Sequence, residues 1–437
     1  MALEVAMQGA LSGVRVLDFS EYIAGPYAGQ MLADMGADVI KVEPPQGDFW
    51  RLSNMIAPSE SRGFIGVNKG KRSISIDLKR DEAREVLRRA VLRSDVLLQN
   101  YRPGVAERLG LDYESVSLIN PRLIYVENTA FGTVGPYAGK AGFDLVSQAM
   151  TGIMAYEGGA GLPRSIVTTA VTDISSGMFM AFAVASALYQ RERTGKGQKI
   201  ENSLFAAGVA IQYRPMLSIE AQDREAREQL LRDLEEGRKA GKRYEEILGE
   251  RRPGRPPSAV GPYYRAYEAR DGYMVIACLN NRLRRAVRDV VGVDDPRVDG
   301  DEFAVMSLGP ERAAEITAEM EAIIATKSVA EWCEAFDAVG VPCGPVRLPA
   351  EMFEDEHVRV NNLIVELEHP VVGPIKMANS PLKMSGAETG AKSASPALGQ
   401  HTREYLGELG FEAGEIEALL ASGVVREWRP RISADFR

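Results

Sequence analysis

The stretch VRVLDFSEYIAGPYAGQMLADMGADVIKVE, residues 14–43, decides the fold. VRVLDFS (14–20) has the apolar content of a buried strand, EYIAGP (21–26) reads as the loop at its C-terminal end, and YAGQMLADMGA as a short helix leading into a second strand, DVIKVE (38–43). The unit is β-α-β. The pattern repeats downstream: SISIDL (73–78) as a strand, DEAREVLRRAVLRS (81–94) as an amphipathic helix, then the strands DVLLQNY (95–101) and RLIYVENTAF (122–131). Strands alternating with helices predict an α/β fold, a parallel sheet with helices on both faces. Such sheets bind ligands beyond the C-terminal ends of their strands, which directs attention to the loops 21–29, 100–108 and 130–142. No GxGxxG follows the first strand and no Walker A sequence is present, so no motif supports a dinucleotide or nucleoside triphosphate ligand.

Further along, TAVTDISSGMFMAFAVASALYQ (169–190) is apolar on almost every side, as a buried helix is. Asp173 stands at its head, where free amide groups and the helix dipole stabilise a carboxylate. Gly177, four residues on, leaves one face bare, and Ala181, Ala183, Ala185 and Ala187 keep the helix slim. Two readings follow from these residues: Asp173, or Thr172 before it, is only an N-cap, or Asp173 is a nucleophilic carboxylate in a dry cleft, able to form an acyl-enzyme. Arg191 and Arg193 suit the last helical turn, Gly195 stops it, and IENSLF (200–205) continues the sheet before a helix that begins near Phe205.

With 437 residues the chain exceeds one ordinary core, so two domains are expected. Apolar and charged contents of 45% and 26% are those of a soluble globular protein, and a net charge of −9 argues against a nucleic-acid partner. No uninterrupted apolar run long enough for a bilayer is seen and the N-terminus does not read as a signal peptide, so no membrane partner is expected. Cys278, Cys333 and Cys343 lack CxxC spacing and read as buried thiols of a reducing cytoplasm. The three histidines, His357, His369 and His401, lie in the last fifth of the chain without HExxH or a Cys/His cluster, so no metal site is expected. Residues 219–255 carry charges of both signs and read as a solvated helix (about 221–247) and a Pro/Gly linker. PYYRAYEARDGYMVIACLN (262–280) predicts two strands around Arg270–Gly272, followed by helices at 281–290, 310–327 and 329–339. From VPCGPV (341–346) the chain returns to the first domain through a hairpin and a helix pair from Thr402, with ETGAKSASPALGQ (388–400) as the loose segment. The expected domains are thus 10–218 with 345–437, a charged linker 219–255, and a small α+β domain 256–344.

These segments resemble, in order and spacing, the family III CoA-transferases, the group that includes formyl-CoA transferase and carnitine CoA-transferase. The matching pieces are LSGVRVLDFSEYIAGPYAGQMLADMGADVIKVEPP, NKGKRSISIDLK, DVLLQNYRPGVAERLGL, NPRLIYVENTAFG, GFDLVSQAMTG, the Asp173 helix with RERTGKGQKIENSL, VPCGPV and LGQHTREYLGELG. The resemblance implies that Asp173 attacks an acyl-CoA thioester, giving an aspartyl anhydride and then an aspartyl-CoA thioester, with coenzyme A a substrate rather than a resident cofactor. At an ordinary carboxylate pKa of about 3.9, Asp173 would be ionised at neutral pH without a general base. The resemblance places Ile76 and Lys79 at the adenosine end of CoA, Asn100 and Tyr101 under the nucleotide, and Arg108 near its phosphates. Taken alone, Ile76 reads as plain core and the two cations as solvated charges. The resemblance also implies an interlocked homodimer whose active site lies between domains of two chains.

Two departures bear on substrate. Ile23 stands where formyl-CoA transferase has a glutamine, and no glycine-rich loop is recognisable near 256–261. A larger or less polar carboxylic acid than formate or oxalate is therefore expected. The rival reaction, α-proton exchange as in 2-methylacyl-CoA racemase, uses a histidine in a GHD sequence; the match here is GFD, with Phe143 in the histidine position and Glu127 or Asp144 as the conceivable substitutes. A CoA-binding protein without turnover is the third reading, and the Asp173–Gly177 pair argues against it.

Overall fold

The computed structural model describes residues 8–157, 164–243, 246–247, 261–301 and 310–429. Part of the charged stretch and the residues 256–260 examined for a glycine-rich loop lie outside the described residues. The chain separates into two compact units, Met1–Leu248 with His357–Arg437, and Gly249–Glu356.

In chain order the first unit holds β1 (Arg15–Asp18), α1 (Ala24–Asp34), β2 (Asp38–Glu43), α2 (Phe49–Leu52), β3 (Met55–Ala57), β4 (Glu60–Ser61), α3 (Arg62–Gly66), β5 (Arg72–Ile76), α4 (Ala83–Leu92) and β6 (Val96–Gln99). It continues with α5 (Val105–Leu109), α6 (Tyr113–Ile119), β7 (Ile124–Thr129), α7 (Asp144–Met150), α8 (Ile153–Glu157), α9 (Val171–Thr194), β8 (Gln198–Ser203), α10 (Leu204–Ala210) and α11 (Glu220–Lys239). β9 (Tyr264–Ala269), β10 (Gly272–Ala277) and β11 (Cys343–Pro345) belong to the second unit; β12 (Ile364–His369), β13 (Gly373–Ala378) and β14 (Val425–Arg426) return to the first.

Seven strands form the main sheet in the order β14-β5-β2-β1-β6-β7-β8, parallel throughout except for the edge strand β14. Alternate residues divide its two faces. Val16, Val39, Val96 and Val126 pack with α1 and with Met180, Val184 and Leu188 of α9. Leu17, Ile40, Ile74 and Leu97 pack with Val86, Leu87 and Ala90 of α4 and with Tyr405 and Leu406 of the C-terminal helix Thr402–Glu408. Strand order reverses between β1 and β6, so the crevice for a ligand opens at their C-terminal ends.

In the second unit β11-β10-β9 form an antiparallel sheet. Helices Asn281–Val291, Pro310–Ile324 and Val329–Asp337 cover it, around a core that includes Trp332, Phe336 and Tyr267.

Five expectations need correction. α1 begins at Ala24, three residues before the expected helix, because Pro26 in a first helical turn gives up no hydrogen bond. The segment 388–400 is irregular but pinned: Gly390 and Ala391 donate to Asp34, Ser393 and Pro396 carbonyls accept from Gly70 and Arg51, and Ser395 and Ala397 are buried. α9 is long and apolar enough, by length and composition alone, to cross a membrane, with mean hydropathy 1.5 over a stretch half buried in the fold. Nor is α9 covered on every side, since Phe182 and Tyr189 stand 74% and 68% exposed. The thiols are free, but only Cys278 is fully buried; Cys333 and Cys343 are half-buried.

Candidate active site

At the start of α9, the backbone at Ala170 takes a left-handed conformation (φ 42°), and no side chain of that residue caps the helix. The capping acceptor comes from outside. Asp144, the first residue of α7, accepts the backbone N–H of Thr172 at 2.8 Å and its hydroxyl at 2.7 Å. Asp173 is therefore not the cap, and neither is the side chain of Thr172, which donates rather than accepts. Among the described residues no hydrogen bond or ion pair reaches the half-buried carboxyl of Asp173. Burial, with the nearby Asp144 charge as the smaller cause, pushes it up to about 7. This overturns the expectation of a fully ionised carboxylate at neutral pH: loss of solvent outweighs the helix dipole.

Gly177 lies one turn below Asp173 on the same helix face. A Cβ there would sit 2.8 Å from the Ala24 carbonyl oxygen and 2.9 Å from the Tyr27 ring. The glycine lets α9 approach α1 at its first turn, the turn that Ile23 precedes. Below, Ser176 donates to Asn128 Oδ1 at 2.9 Å and Asn202 Nδ2 donates to Ser176 Oγ at 2.7 Å, tying α9 to the ends of β7 and β8. Glu127 is paired with Lys199 at 2.8 Å. With Asp144 engaged by Thr172 and Phe143 unable to carry a proton, the two substitutes considered for α-proton exchange are both committed elsewhere.

The loop after β1 rests on buried charges. Lys71 Nζ lies 2.7 Å from Asp18 Oδ2, and Gly29 makes room for them, because a Cβ would fall 2.9 Å from that oxygen. Burial alone would raise Asp18, but Lys71 and Lys41 beside it hold its carboxyl below the usual range. Lys41 donates to the Ser20 carbonyl and pairs with Asp48 at 2.9 Å; Asp48 in turn accepts from Tyr22 and Trp50 backbone N–H groups. Sequence reading missed this network, although charges inside the otherwise apolar strands VRVLDFS and VIKVE are the signal that could have found it.

Asn100 spans the point where strand order reverses. Its Oδ1 accepts from the Glu21 N–H at 2.8 Å and its Nδ2 donates to the Glu21 carbonyl at 2.7 Å. Both halves of the amide are thus spent on shaping the loop. Beside it lies a cleft of about 400 Å³ at the C-terminal ends of β1, β2, β5 and β6, lined by Glu21, Val42, Pro44, Ile76, Lys79, Tyr101 and Leu109 among others. Ile76, Lys79 and Tyr101 come together there. Ile76 is also core, 1% exposed, whereas Lys79 is exposed. Arg108 is exposed on α5, next to the lining residue Leu109 but not itself on the wall. Phe143 lies 5.2 Å, ring centre to ring centre, from Tyr22.

Comparison with known proteins bears on this arrangement. The family model described as CoA-transferase family III matches residues 11–402. Succinyl-CoA:glutarate CoA-transferase of Mus musculus is 32% identical over 420 residues, 95% of this chain and 90% of that one. Formyl-CoA:oxalate CoA-transferase of Streptomyces coelicolor is 31% identical over 424 residues, 95% and 99% of the two chains. Among solved structures, a CAIB/BAIF family protein from Brucella suis superposes with a TM-score of 0.73 at 31% identity, covering 92% of this chain and 100% of that one.

Proposed function

This chain belongs to CoA-transferase family III, and we propose that it moves coenzyme A from an acyl-CoA to a free carboxylic acid with Asp173 as the covalent nucleophile. The observation that carries the reading is the carboxyl of Asp173, which is relieved of capping by Asp144 and left without a hydrogen-bond partner among the described residues. Its ionised form attacks the thioester carbonyl, the C–S bond breaks, and an aspartyl anhydride and CoA thiolate result. The thiolate attacks the aspartyl carbonyl, releasing the first acid and leaving an aspartyl-CoA thioester. The acceptor carboxylate then runs the same two steps in reverse, so no redox change and no net proton transfer occur.

The cleft lined by Ile76, Lys79 and Tyr101 is where we place the nucleotide end of CoA. Its apolar wall suits adenine, and the exposed Lys79 and Arg108 suit phosphates. Asn100 acts there through the loop it holds. Ile23 and Phe143 give the acid end an apolar character, favouring an acid larger or less polar than oxalate. The open apolar face of α9, with Phe182 and Tyr189, supports a homodimer in which a second copy covers it. Three free cysteines accord with a reducing cytoplasm.

The test is the intact-protein mass after incubation with succinyl-CoA and, separately, other acyl-CoAs, followed by borohydride or hydroxylamine trapping and peptide mapping. An adduct on Asp173 that disappears in Asp173→Ala is the expected result. Tight CoA binding without an adduct from any donor would overturn the transferase reading, and deuterium entering the α-position of an acyl-CoA would favour proton exchange in its place.

A further inference from the structure

Four aromatic rings gather where the loop after β1 meets the start of α7. Tyr22 contacts Phe143 edge-on at 5.2 Å and lies 5.8 Å from Phe49 and 6.1 Å from Trp50. Phe49 and Phe143 remain 56% and 51% exposed. Tyr22 is held in the left-handed region (φ 67°). That conformation is strained for a residue with a Cβ and persists only where its surroundings dictate it. Here the surroundings do so: its N–H donates to Asp48, and the preceding residue is clamped on both sides by Asn100.

Two of these rings are tied to the start of α9 through their neighbours in the chain. Phe143 immediately precedes Asp144, whose carboxylate is bonded to Thr172, the neighbour of Asp173. On the other side, Gly177, one turn along from Asp173, touches Ala24 and Tyr27, just past Tyr22. The contact between Tyr22 and Phe143 thus joins the loop after β1 to the start of α7, and the elements on both sides of it are tied to the first turns of α9. The ionisable groups on the ring-bearing segments are Glu21, Asp48 and Asp144, together with Arg51, which is buried against Glu43 and Glu60. Asp48 is already paired with Lys41, and burial together with Asp48 raises the carboxyl of Glu21. Arg102, which is exposed, is the cation that acts on Tyr22. A substrate bearing a second carboxylate would bring it among these carboxyl groups and against aromatic faces, where it is poorly solvated.

We propose that Tyr22, Phe49, Trp50 and Phe143 form the wall of the acid subsite and select a monocarboxylic acid with an aromatic or bulky apolar tail over dicarboxylic acids. The inference rests on the transferase reading and names its substrate class.

Isotope exchange between each acyl-CoA and its own labelled free acid tests it without assuming a donor–acceptor pair. The panel is propanoate, 3-phenylpropanoate, glutarate and oxalate, run on the full chain. The expected result is a kcat/KM for 3-phenylpropanoate at least about tenfold above that for glutarate, with Phe143→Ala and Phe49→Ala each lowering the 3-phenylpropanoate-to-propanoate ratio by about tenfold. Preference for glutarate or oxalate, or equal losses for every acid in the variants, would overturn it. So would a variant that shifts the oligomeric mass and leaves the ratio intact, since the rings would then be an interface between copies. Absence of exchange with every acid, together with no adduct on Asp173, would remove the transferase reading itself; an Asp173 adduct with no preference among acids would remove this inference alone.

Discussion

Asp144 accepts two hydrogen bonds from Thr172, at 2.8 Å from the backbone N–H and 2.7 Å from the hydroxyl, and thereby closes the start of a helix on which Asp173 is the first acidic residue. One carboxylate does the structural work of the cap, and its neighbour Asp173 is left for the proposed nucleophilic role. The same proximity raises Asp173, since two negative charges in a partly dry site disfavour each other. Asp144→Asn keeps an acceptor for Thr172 and removes the charge. The acid limb of kcat/KM should move to lower pH in this variant, as measured in the pH profile of acyl-CoA exchange. Asp144→Ala should in addition cost about 1 kcal/mol of stability through the lost cap, read from denaturant unfolding.

The wild-type pH profile follows from the same carboxyl. With Asp173 pushed up to about 7, the attacking form is a minority at pH 6 and dominant at pH 8. The kcat/KM for exchange should therefore rise with pH and level off above about 7. A flat profile from pH 5 to 8 would contradict an Asp173 nucleophile in this environment.

Gly177 sets how closely α9 approaches the loop that carries Ile23. In Gly177→Ala the new methyl meets backbone at the Ala24 carbonyl, an atom that cannot swing aside. Overpacking of this kind costs about 1–3 kcal/mol. The expected outcome is a lower Tm together with a drop in kcat, because the shift falls one turn from Asp173.

In the cleft proposed for CoA, Tyr101→Ala removes an aromatic platform and Lys79→Ala an exposed cation. Loss of stacking on a base is worth about 1–3 kcal/mol, so the KM for acyl-CoA should rise about tenfold in Tyr101→Ala with kcat little changed. The effect of Lys79→Ala should shrink as salt rises, since an exposed cation is screened within a Debye length of about 10 Å at 0.1 M. Steady-state kinetics at two ionic strengths separate the two.

The main sheet was legible because its strands carry apolar runs of strand length and its helices a separate period; DVIKVE was placed to the residue as β2. Gly25 and Pro26 misled the reading of α1, since both break helices in their interiors but not in a first turn. The pinning of 388–400 depends on backbone donors meeting Asp34 from 356 residues away or more, which no local pattern announces. Asp173 drew attention because a lone carboxylate opened an apolar helix. Asp144 drew attention only as a conceivable base; its role as the cap was not legible, because its partner lies 28 residues along the chain and their pairing is made only in space. The sequence also left Asp173 with an ordinary pKa, as burial of one carboxyl group cannot be read from its neighbours in the chain.

A last prediction concerns a buried pair away from the chemistry. Glu60 gives one oxygen to Arg51 at 2.9 Å, while its other oxygen faces His369 Nε2 at 3.6 Å without a hydrogen bond to any described residue. His369 Nδ1 accepts from the N–H groups of Val371 and Val372, so the ring is neutral with its proton on Nε2, and burial with the Arg51 charge holds its pKa down at about 4. Burial, opposed by Arg51, pushes Glu60 up to about 7 from an ordinary 4.5. Between those values the native chain keeps a proton that the unfolded chain has lost. Its contribution to stability is complete below the unfolded value and is lost as pH rises through about 7. Glu60→Gln fixes the neutral form and retains an acceptor for Arg51. At pH 5 the variant should exceed the wild type by less than about 1 kcal/mol, and at pH 8 it should be more stable by up to about 3 kcal/mol, at roughly 1.4 kcal/mol per pKa unit. Taking the difference between variant and wild type removes the opposing contribution of His369, which both proteins share. Urea unfolding at pH 5 and pH 8 measures that difference, and a variant less stable than the wild type at pH 8 would show that Glu60 is ionised and held by Arg51 in the native state.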